Sequence, residues 1–357
     1  MGNSMNEEKK MNPKVNVIVP VYNVAPYLNI FFDSLFNQTF QDFDIWVVND
    51  KSTDNSLDLI EEYERKYPER MHVISNTFNL GLSETRNVGL EQCDSNGEYI
   101  LLLDSDDYLE LTYIEKMVSN AEKYHADITI CGLERFDDNT GKCVCKEMIN
   151  NPEELITDIK NFEMLGYMNP VVWNKLFRRT VIEDMKFTAI KRSEDTVFLF
   201  SILPRVKSIK FINEVLYHYR VRNDSLSGAI TNEIYESMLR GFSKTRKAFY
   251  DDKEHVGLMD LFVVQMFIRC GVGGACRLAF QNMRKASYYT NRTRKYMDKC
   301  FPEWRDNKYL SLHYWWKRDL PAVLLSCAAV LYKCYLFVIF IYLYWFLSCV
   351  LKRDFRA

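Results

Sequence analysis

From Val15 the chain alternates short, nearly continuous apolar runs with longer segments whose apolar residues recur at helical spacing. Val15–Pro20 reads as a strand. Pro26 then sets the first turn of a helix that places Leu28, Phe32 and Leu35 on one face. Asp44–Asn49 is the next strand, and a helix capped by Asp54 carries Leu57, Ile60 and Tyr63 through to Lys66. A strand around His72–Ser75, a short helix over Glu84–Gln92 and an apolar strand Glu98–Leu103 follow. Continuous apolar strands between amphipathic helices predict an α/β fold: a mixed, mainly parallel sheet flanked by helices on both faces.

Past residue 125 the alternation loosens into a strand near Asp127–Leu133, a polar loop to about Asn150 and the aromatic segment Val171–Phe177. Glu233 to Lys299 reads mainly as helix, interrupted at Gly271-Val272-Gly273-Gly274. Cys334–Leu351 is an uncharged apolar run of eighteen residues between Lys333 and Lys352-Arg353. At about 1.5 Å per residue it is just long enough to span a bilayer. A single crossing from the cytosol would put Lys352, Arg353 and Arg356 outside, against the usual bias of positive charge. A re-entrant or in-plane helix with Leu320–Tyr332 as its first limb is the preferred reading. The crowding of Tyr342, Tyr344, Trp345 and Phe346 argues against a simple buried helix. Four segments result: a polar extension 1–14, a catalytic domain 15–228, a helical, basic region 229–319 and a hydrophobic, membrane-associated segment 320–357.

A chain of 357 residues that is 48% hydrophobic and 14% aromatic can bury a large core. Its net charge of −2 conceals a basic stretch, Arg269 to Lys299, with eight cations and Asp298 as its one acid. That stretch calls for an anionic neighbour, lipid headgroups or a phosphate-bearing substrate; no nucleic-acid partner is expected. The polar start Met1–Lys14 has no apolar secretory core, and Asn6 spoils a myristoylation signal. The ten cysteines are therefore expected to be reduced, and Cys143 and Cys145 lack metal-binding spacing. No G-x-G-x-x-G follows the first strand, which disfavours a nicotinamide enzyme.

In open α/β sheets ligands bind beyond the carboxyl ends of the strands. Those ends read Pro20-Val21-Tyr22-Asn23, Asn49-Asp50-Lys51-Ser52, Asn79-Leu80-Gly81-Leu82 and Asp104-Ser105-Asp106-Asp107. Clustered carboxylates raise one another's pKa unless a cation neutralises them, and hard oxygen donors suit Mn2+ or Mg2+ shared with a diphosphate. The plainer alternative is an acidic turn capping the helix from Leu111. Asp50 can accept from a nucleobase N–H, Tyr22 can offer its ring to the same base, and Arg86 can reach a phosphate or the acidic cluster.

Together with Arg86-Asn87-Val88-Gly89, these stretches resemble the serial motifs of family 2 glycosyltransferases, over roughly Val15 to Ser227. The resemblance implies a GT-A fold, a nucleotide-diphosphate sugar donor, a divalent metal and inversion at the anomeric carbon. It places Asp50 at the base, Asp104 on the ribose side, Asp106 on the metal, and Pro20, Asn23 and Ser105 around the donor. Lys51 departs from the family, which commonly has glycine there, so a turn needing positive φ would be strained. Glu194 and Asp195 resemble the family's Glu-Asp pair at a helix start, with Asp195 the candidate general base. Trp173, Asn174 and Lys175 resemble its acceptor-side segment. His218, Arg220 and Arg222, with Ser225 and Ser227, resemble the segment that closes over the diphosphate, although a lone histidine is more often a packed aromatic substitute. The implied activity is transfer of a hexose or N-acetylhexosamine from a UDP-sugar to a lipid-linked glycan acceptor at the cytoplasmic face of the membrane. A protein or wall-polymer acceptor, or a non-catalytic assembly role, are the alternatives.

Overall fold

A computed structural model describes residues 13–222, 230–250, 256–315 and 320–351. The polar extension up to residue 12, Ser225, Ser227 and the terminal cations from Lys352 onward lie outside them. The chain packs as two compact units that do not follow the contiguous division expected from sequence. One comprises Met1–Leu155, Val172–Lys186 and Lys207–Val221; the other comprises Ile156–Val171, Phe187–Val206 and Arg222–Ala357.

The first unit opens with β1 (Val15–Val21), α1 (Ala25–Phe36), β2 (Phe43–Asn49), α2 (Ser56–Lys66), β3 (Met71–Ser75), α3 (Leu82–Gln92) and β4 (Tyr99–Leu102). It continues through β5 (Tyr108–Leu109), α4 (Tyr113–Tyr124), β6 (Ile128–Asp137), β7 (Cys143–Glu147), β8 (Lys175–Arg178) and α5 (Arg179–Ile182). The second unit then contributes α6 (Glu194–Ile202), after which β9 (Ile209–Val221) returns to the sheet. The nine strands run β3-β2-β1-β4-β8-β6-β9-β5, with β7 beside β6. The sheet is mixed as expected, and its parallel character is concentrated in the β3-β2-β1-β4 half; β8 runs antiparallel to both β4 and β6. All seven residues of β1 and all four of β4 are buried, which is why these strands read as unbroken apolar runs rather than alternating ones.

Register places the site. Val21 pairs with Asn49, Asn49 with Ser75, and Ile18 with Leu102, so the carboxyl ends of four parallel strands lie side by side. α3 sits close on that sheet because a Cβ at Gly89 would fall 2.4 Å from Ile18 Cγ2. α2 begins at Ser56, so Asn55 and not the expected Asp54 holds its N-cap position; Asp54, one residue earlier, accepts from the backbone N–H groups of Ser56 and Ala25, the first residues of α2 and α1.

The second unit is helical: α7 (Asn232–Tyr250), α8 (Val256–Met266), a π-helical stretch Phe267–Gly274, α9 (Ala275–Gln281), α10 (Ala286–Cys300), α11 (Leu312–Trp315), α12 (Leu320–Lys333) and α13 (Phe337–Leu351). The glycines at 271, 273 and 274 widen the helix instead of breaking it. A π-turn loosens the carbonyl ladder, and here Tyr235 donates to the Cys270 carbonyl and Tyr332 to that of Gly271. Gly257–Gln281 is long and apolar enough to cross a bilayer, but 72% of its most apolar window is buried, and it serves as the core helix of this unit. Gln265 ties it to the carbonyls of Leu165 and Met168, which is how residues expected in the catalytic domain join the second unit.

The terminal apolar run Cys334–Leu351 starts in a turn and continues as one helix, α13, after the limb α12. Cys334–Leu336 forms a turn, with Tyr335 at φ 66°, that folds α13 back on α12. Tyr332, Phe337 and Ile341 are buried in the second unit, so the hairpin is part of its fold and not a separate appendage.

Candidate active site

Asp50 leaves the end of β2 almost wholly buried and organises the loop after β3. Its Oδ1 accepts from Leu80 N–H at 2.7 Å and Asn76 Nδ2 at 2.8 Å, and its Oδ2 from Gly81 N–H at 2.8 Å. A carboxylate has about four lone-pair positions, so roughly one remains for a donor such as a base N–H. Gly81 takes φ 83° at the start of α3, a conformation glycine adopts without the Cβ penalty. Asn23 fastens the first loop to the second: its side chain accepts from Thr53 N–H at 2.7 Å and its N–H donates to Ser52 Oγ at 3.2 Å. Tyr22 beside it is 47% exposed, a large ring open to solvent at the strand edge. Lys51 does adopt positive φ, 61°, where the family commonly has glycine.

The acidic loop after β4 is drawn together from three directions. Ser105 Oγ donates to the carbonyl of Pro20 at 2.8 Å, locking it to β1. Arg86, 1% exposed, donates from Nη2 to Asp104 Oδ1 at 2.7 Å. Asp107 is fully buried and accepts from Arg220 N–H and from Tyr217 Oη, each at 2.7 Å. Burial first, then the charges of Asp106 and Asp104, hold its carboxyl well above the usual range. The Asp104 and Asp106 charges that act on Asp107 are those a cation would neutralise. Among the described residues no group of three or more His, Cys, Asp or Glu side chains is placed to hold a metal by itself. Mg2+ and its relatives typically take one or two carboxylates and leave the remaining positions to phosphate and water, so the Asp106 carboxylate alone would suffice for a shared site.

Arg220 is sequestered. Its Nε donates to the Asp106 carbonyl and its Nη1 to Asp138 Oδ1, both at 2.8 Å, and its plane lies 4.8 Å from the rings of Tyr27 and Phe136. It steadies the acidic loop through the Asp106 carbonyl. Asp138 and Tyr27, joined at 3.1 Å, complete that brace. Neither was signalled by a motif, because Asp138 sits in a stretch that reads as polar loop. His218 stacks on Tyr108 at 4.3 Å and meets Glu110 Oε1 at 2.8 Å, a packed aromatic across the β5–β9 pairing. Trp173, Asn174 and Lys175 are also interior. Trp173 stacks on Tyr217 at 4.2 Å, and Asn174 donates to the Cys131 carbonyl while accepting from Lys175 Nζ. These three side chains pack the sheet interior.

Glu194 and Asp195 open α6 in the second unit, following Ser193 at φ 62°. The helix behind them is nearly all buried: Phe198 stacks on Phe187 at 3.9 Å, and Phe200 meets Phe262 at 5.2 Å. A rigid helix start favours ionised carboxylates through its dipole. Arg222 belongs to this unit as well.

Glycosyl transferase family 2 matches this chain over residues 16–186. The putative glycosyltransferase EpsH of Bacillus subtilis is 32% identical over 266 residues, covering 71% of this chain and 74% of that protein. The poly(ribitol-phosphate) beta-glucosyltransferase of Bacillus spizizenii is 31% identical over 266 residues, 71% of this chain but 40% of the relative's own length. The crystal structure of S. aureus TarS 1-349 in complex with UDP-GlcNAc superposes with a TM-score of 0.69 at 21% identity, covering 88% of this chain and 91% of that one. That likeness is one of fold.

Proposed function

This chain belongs to glycosyl transferase family 2, and from that premise we propose that it inverts configuration while moving a hexose or N-acetylhexosamine from a UDP-sugar to a lipid-linked glycan acceptor in polysaccharide assembly. The observation that carries the reading is the tying together of neighbouring strand ends: Ser105 of the acidic loop on Pro20, Arg86 of α3 on Asp104, and Asp50 on Leu80 and Gly81. Asp50 offers its remaining lone-pair position to the base, and Tyr22 its exposed ring. Asp106 would hold a divalent cation, Mn2+ or Mg2+, with Asp104 beside it on the ribose side; when bound, the cation offsets charge developing on the departing diphosphate. Asp195 takes the proton of the acceptor hydroxyl as that oxygen attacks the anomeric carbon, its ionised form favoured by the start of α6. The UDP-GlcNAc complex of TarS supports the donor class.

The Bacillus spizizenii relative, named for poly(ribitol-phosphate), favours a second reading in which the acceptor is a finished wall polymer. Metal-dependent hydrolysis and thermal stabilisation across UDP- and dTDP-sugars test the donor; lipid-linked and polymeric acceptors then compete for transfer. A UDP-sugar that stabilises the chain only with Mn2+ or Mg2+ present supports the proposal. Indifference to every nucleotide sugar would refute it.

A further inference from the structure

The outer face of α13 is apolar and uncovered within the second unit. Phe337 and Ile341 point inward, whereas Leu336, Ile339, Tyr342, Leu343 and Phe346 recur at helical spacing on the solvent side, Leu343 and Phe346 each 58% exposed. α12 adds Leu324 and Val330, and the turn adds Tyr335. Exposed side chains of this size recurring along one helix are rare on a soluble surface without an occupant. α10 borders the stripe: the Arg294 guanidinium lies 4.2 Å over the Tyr335 ring, and Tyr342 Oη donates to the Met283 carbonyl at 3.1 Å. On and just before α10, Arg284, Lys285, Lys295 and Lys299 are exposed, while the one acid of the stretch, Asp298, is taken up by Arg294, Arg305 and Trp304.

We propose that this hairpin is a docking surface for membranes containing anionic phospholipid, with α13 lying in the plane of the interface and the cations of α10 meeting the headgroups. An apolar stripe bordered by cations, with tyrosines in between, is the pattern of an interfacial helix. α13 has 15 residues and would rise about 22 Å end to end, short of the roughly 30 Å of hydrocarbon that a crossing requires. The proposal rests on the lipid-linked acceptor proposed above, which must be met at a membrane surface, and it specifies the partner and the geometry.

Because Tyr332, Phe337 and Ile341 are core residues, deleting the hairpin would damage the fold, and the test uses point variants of the full chain. The purified protein is sedimented with vesicles of phosphatidylcholine alone or with added phosphatidylglycerol, at low and high salt. Wild type binds the phosphatidylglycerol vesicles and releases in salt; Leu343→Glu with Phe346→Glu reduces binding at least tenfold, about the effect of burying charge for apolar surface. Arg284→Ser with Lys285→Ser weakens it about fivefold per cation. Both variants keep UDP-sugar hydrolysis in vesicle-free buffer, so a chain that binds vesicles but hydrolyses no nucleotide sugar would strike the proposed transfer and leave docking standing. Unchanged binding of the double Glu variant, equal binding to phosphatidylcholine, or resistance of the membrane-bound chain to alkaline carbonate would overturn the inference. So would a vesicle-free dimer that the double Glu variant splits, since a second copy would then be the occupant.

Discussion

Arg86 Nη2 stands 2.7 Å from Asp104 Oδ1, an ion pair in which the cation is 1% exposed and the carboxylate keeps about a quarter of its surface. The pair ties the first turns of α3 to the acidic loop after β4, so two motifs far apart in sequence share one charge balance. Removing the guanidinium strips Asp104 of the buried cation that offsets its charge beside Asp106 and Asp107. Arg86→Met is expected to lower stability by about 3 kcal/mol or more, the usual result of breaking a buried pair on one side. Urea denaturation monitored by circular dichroism measures it, and a change below about 1 kcal/mol would show that the pair is dispensable.

Asp106→Asn removes a carboxylate from the proposed cation site while Arg220 still grips the Asp106 carbonyl through the main chain. Metal-stimulated hydrolysis of the UDP-sugar should fall by at least a hundredfold, with folding unaltered. Manganese titrations of the variant that reproduce the wild-type curve would remove Asp106 from the site.

Asp195→Asn keeps the shape of the α6 start and deletes the base. Turnover should drop 10²–10⁴-fold, the range for loss of general-base catalysis, while UDP affinity stays near wild type. Retained transfer would send the search for the base elsewhere.

Lys51 holds φ 61°, a conformation that costs an L-residue with a side chain about 1–2 kcal/mol and glycine almost nothing. The greater freedom of glycine in the unfolded chain offsets part of that gain. Lys51→Gly is therefore expected to be neutral to about 1 kcal/mol stabilising in thermal unfolding, unlike glycine placed elsewhere. A clear loss would mean that the lysine side chain contributes in its own right.

Burial alone would raise the Asp54 carboxyl, but hydrogen bonds from the Ser56 hydroxyl and N–H and from Ala25 N–H outweigh it and hold the pKa below the ordinary value. The folded-state pKa lies below the unfolded one, so the linked stability is present above about pH 4 and fades as pH falls through the folded value. Asp54→Ala should cost about 1 kcal/mol at neutral pH, as caps do. Its melting temperature should converge on that of wild type towards pH 3; a gap constant with pH would mean that the cap does not depend on charge.

Local chemistry made much of this protein legible from its sequence. The unbroken apolar runs of β1 and β4 announced strands buried on both faces, and the polar tetrads after them marked the ligand edge, because parallel strands end together. Lys51 could be flagged as strained because it stands where the family that the motifs resemble commonly has glycine. Tertiary structure decided what depends on contacts between distant residues. Arg220 and Arg222 alternate along one short segment, yet Arg220 is consumed by Asp138 and the Asp106 carbonyl, whereas Arg222 falls to the second unit. Asp138, in an unremarkable polar loop, became a brace only because β6 and β9 pair in register. The terminal run of eighteen apolar residues, with Leu320–Tyr332 as a first limb, could be read as a pair of helices, but only packing against α9, α10 and α12 decided which face of α13 is buried and which is bare. Hydrophobicity fixes that a segment must leave water; which neighbour takes each face depends on where the rest of the chain has already folded.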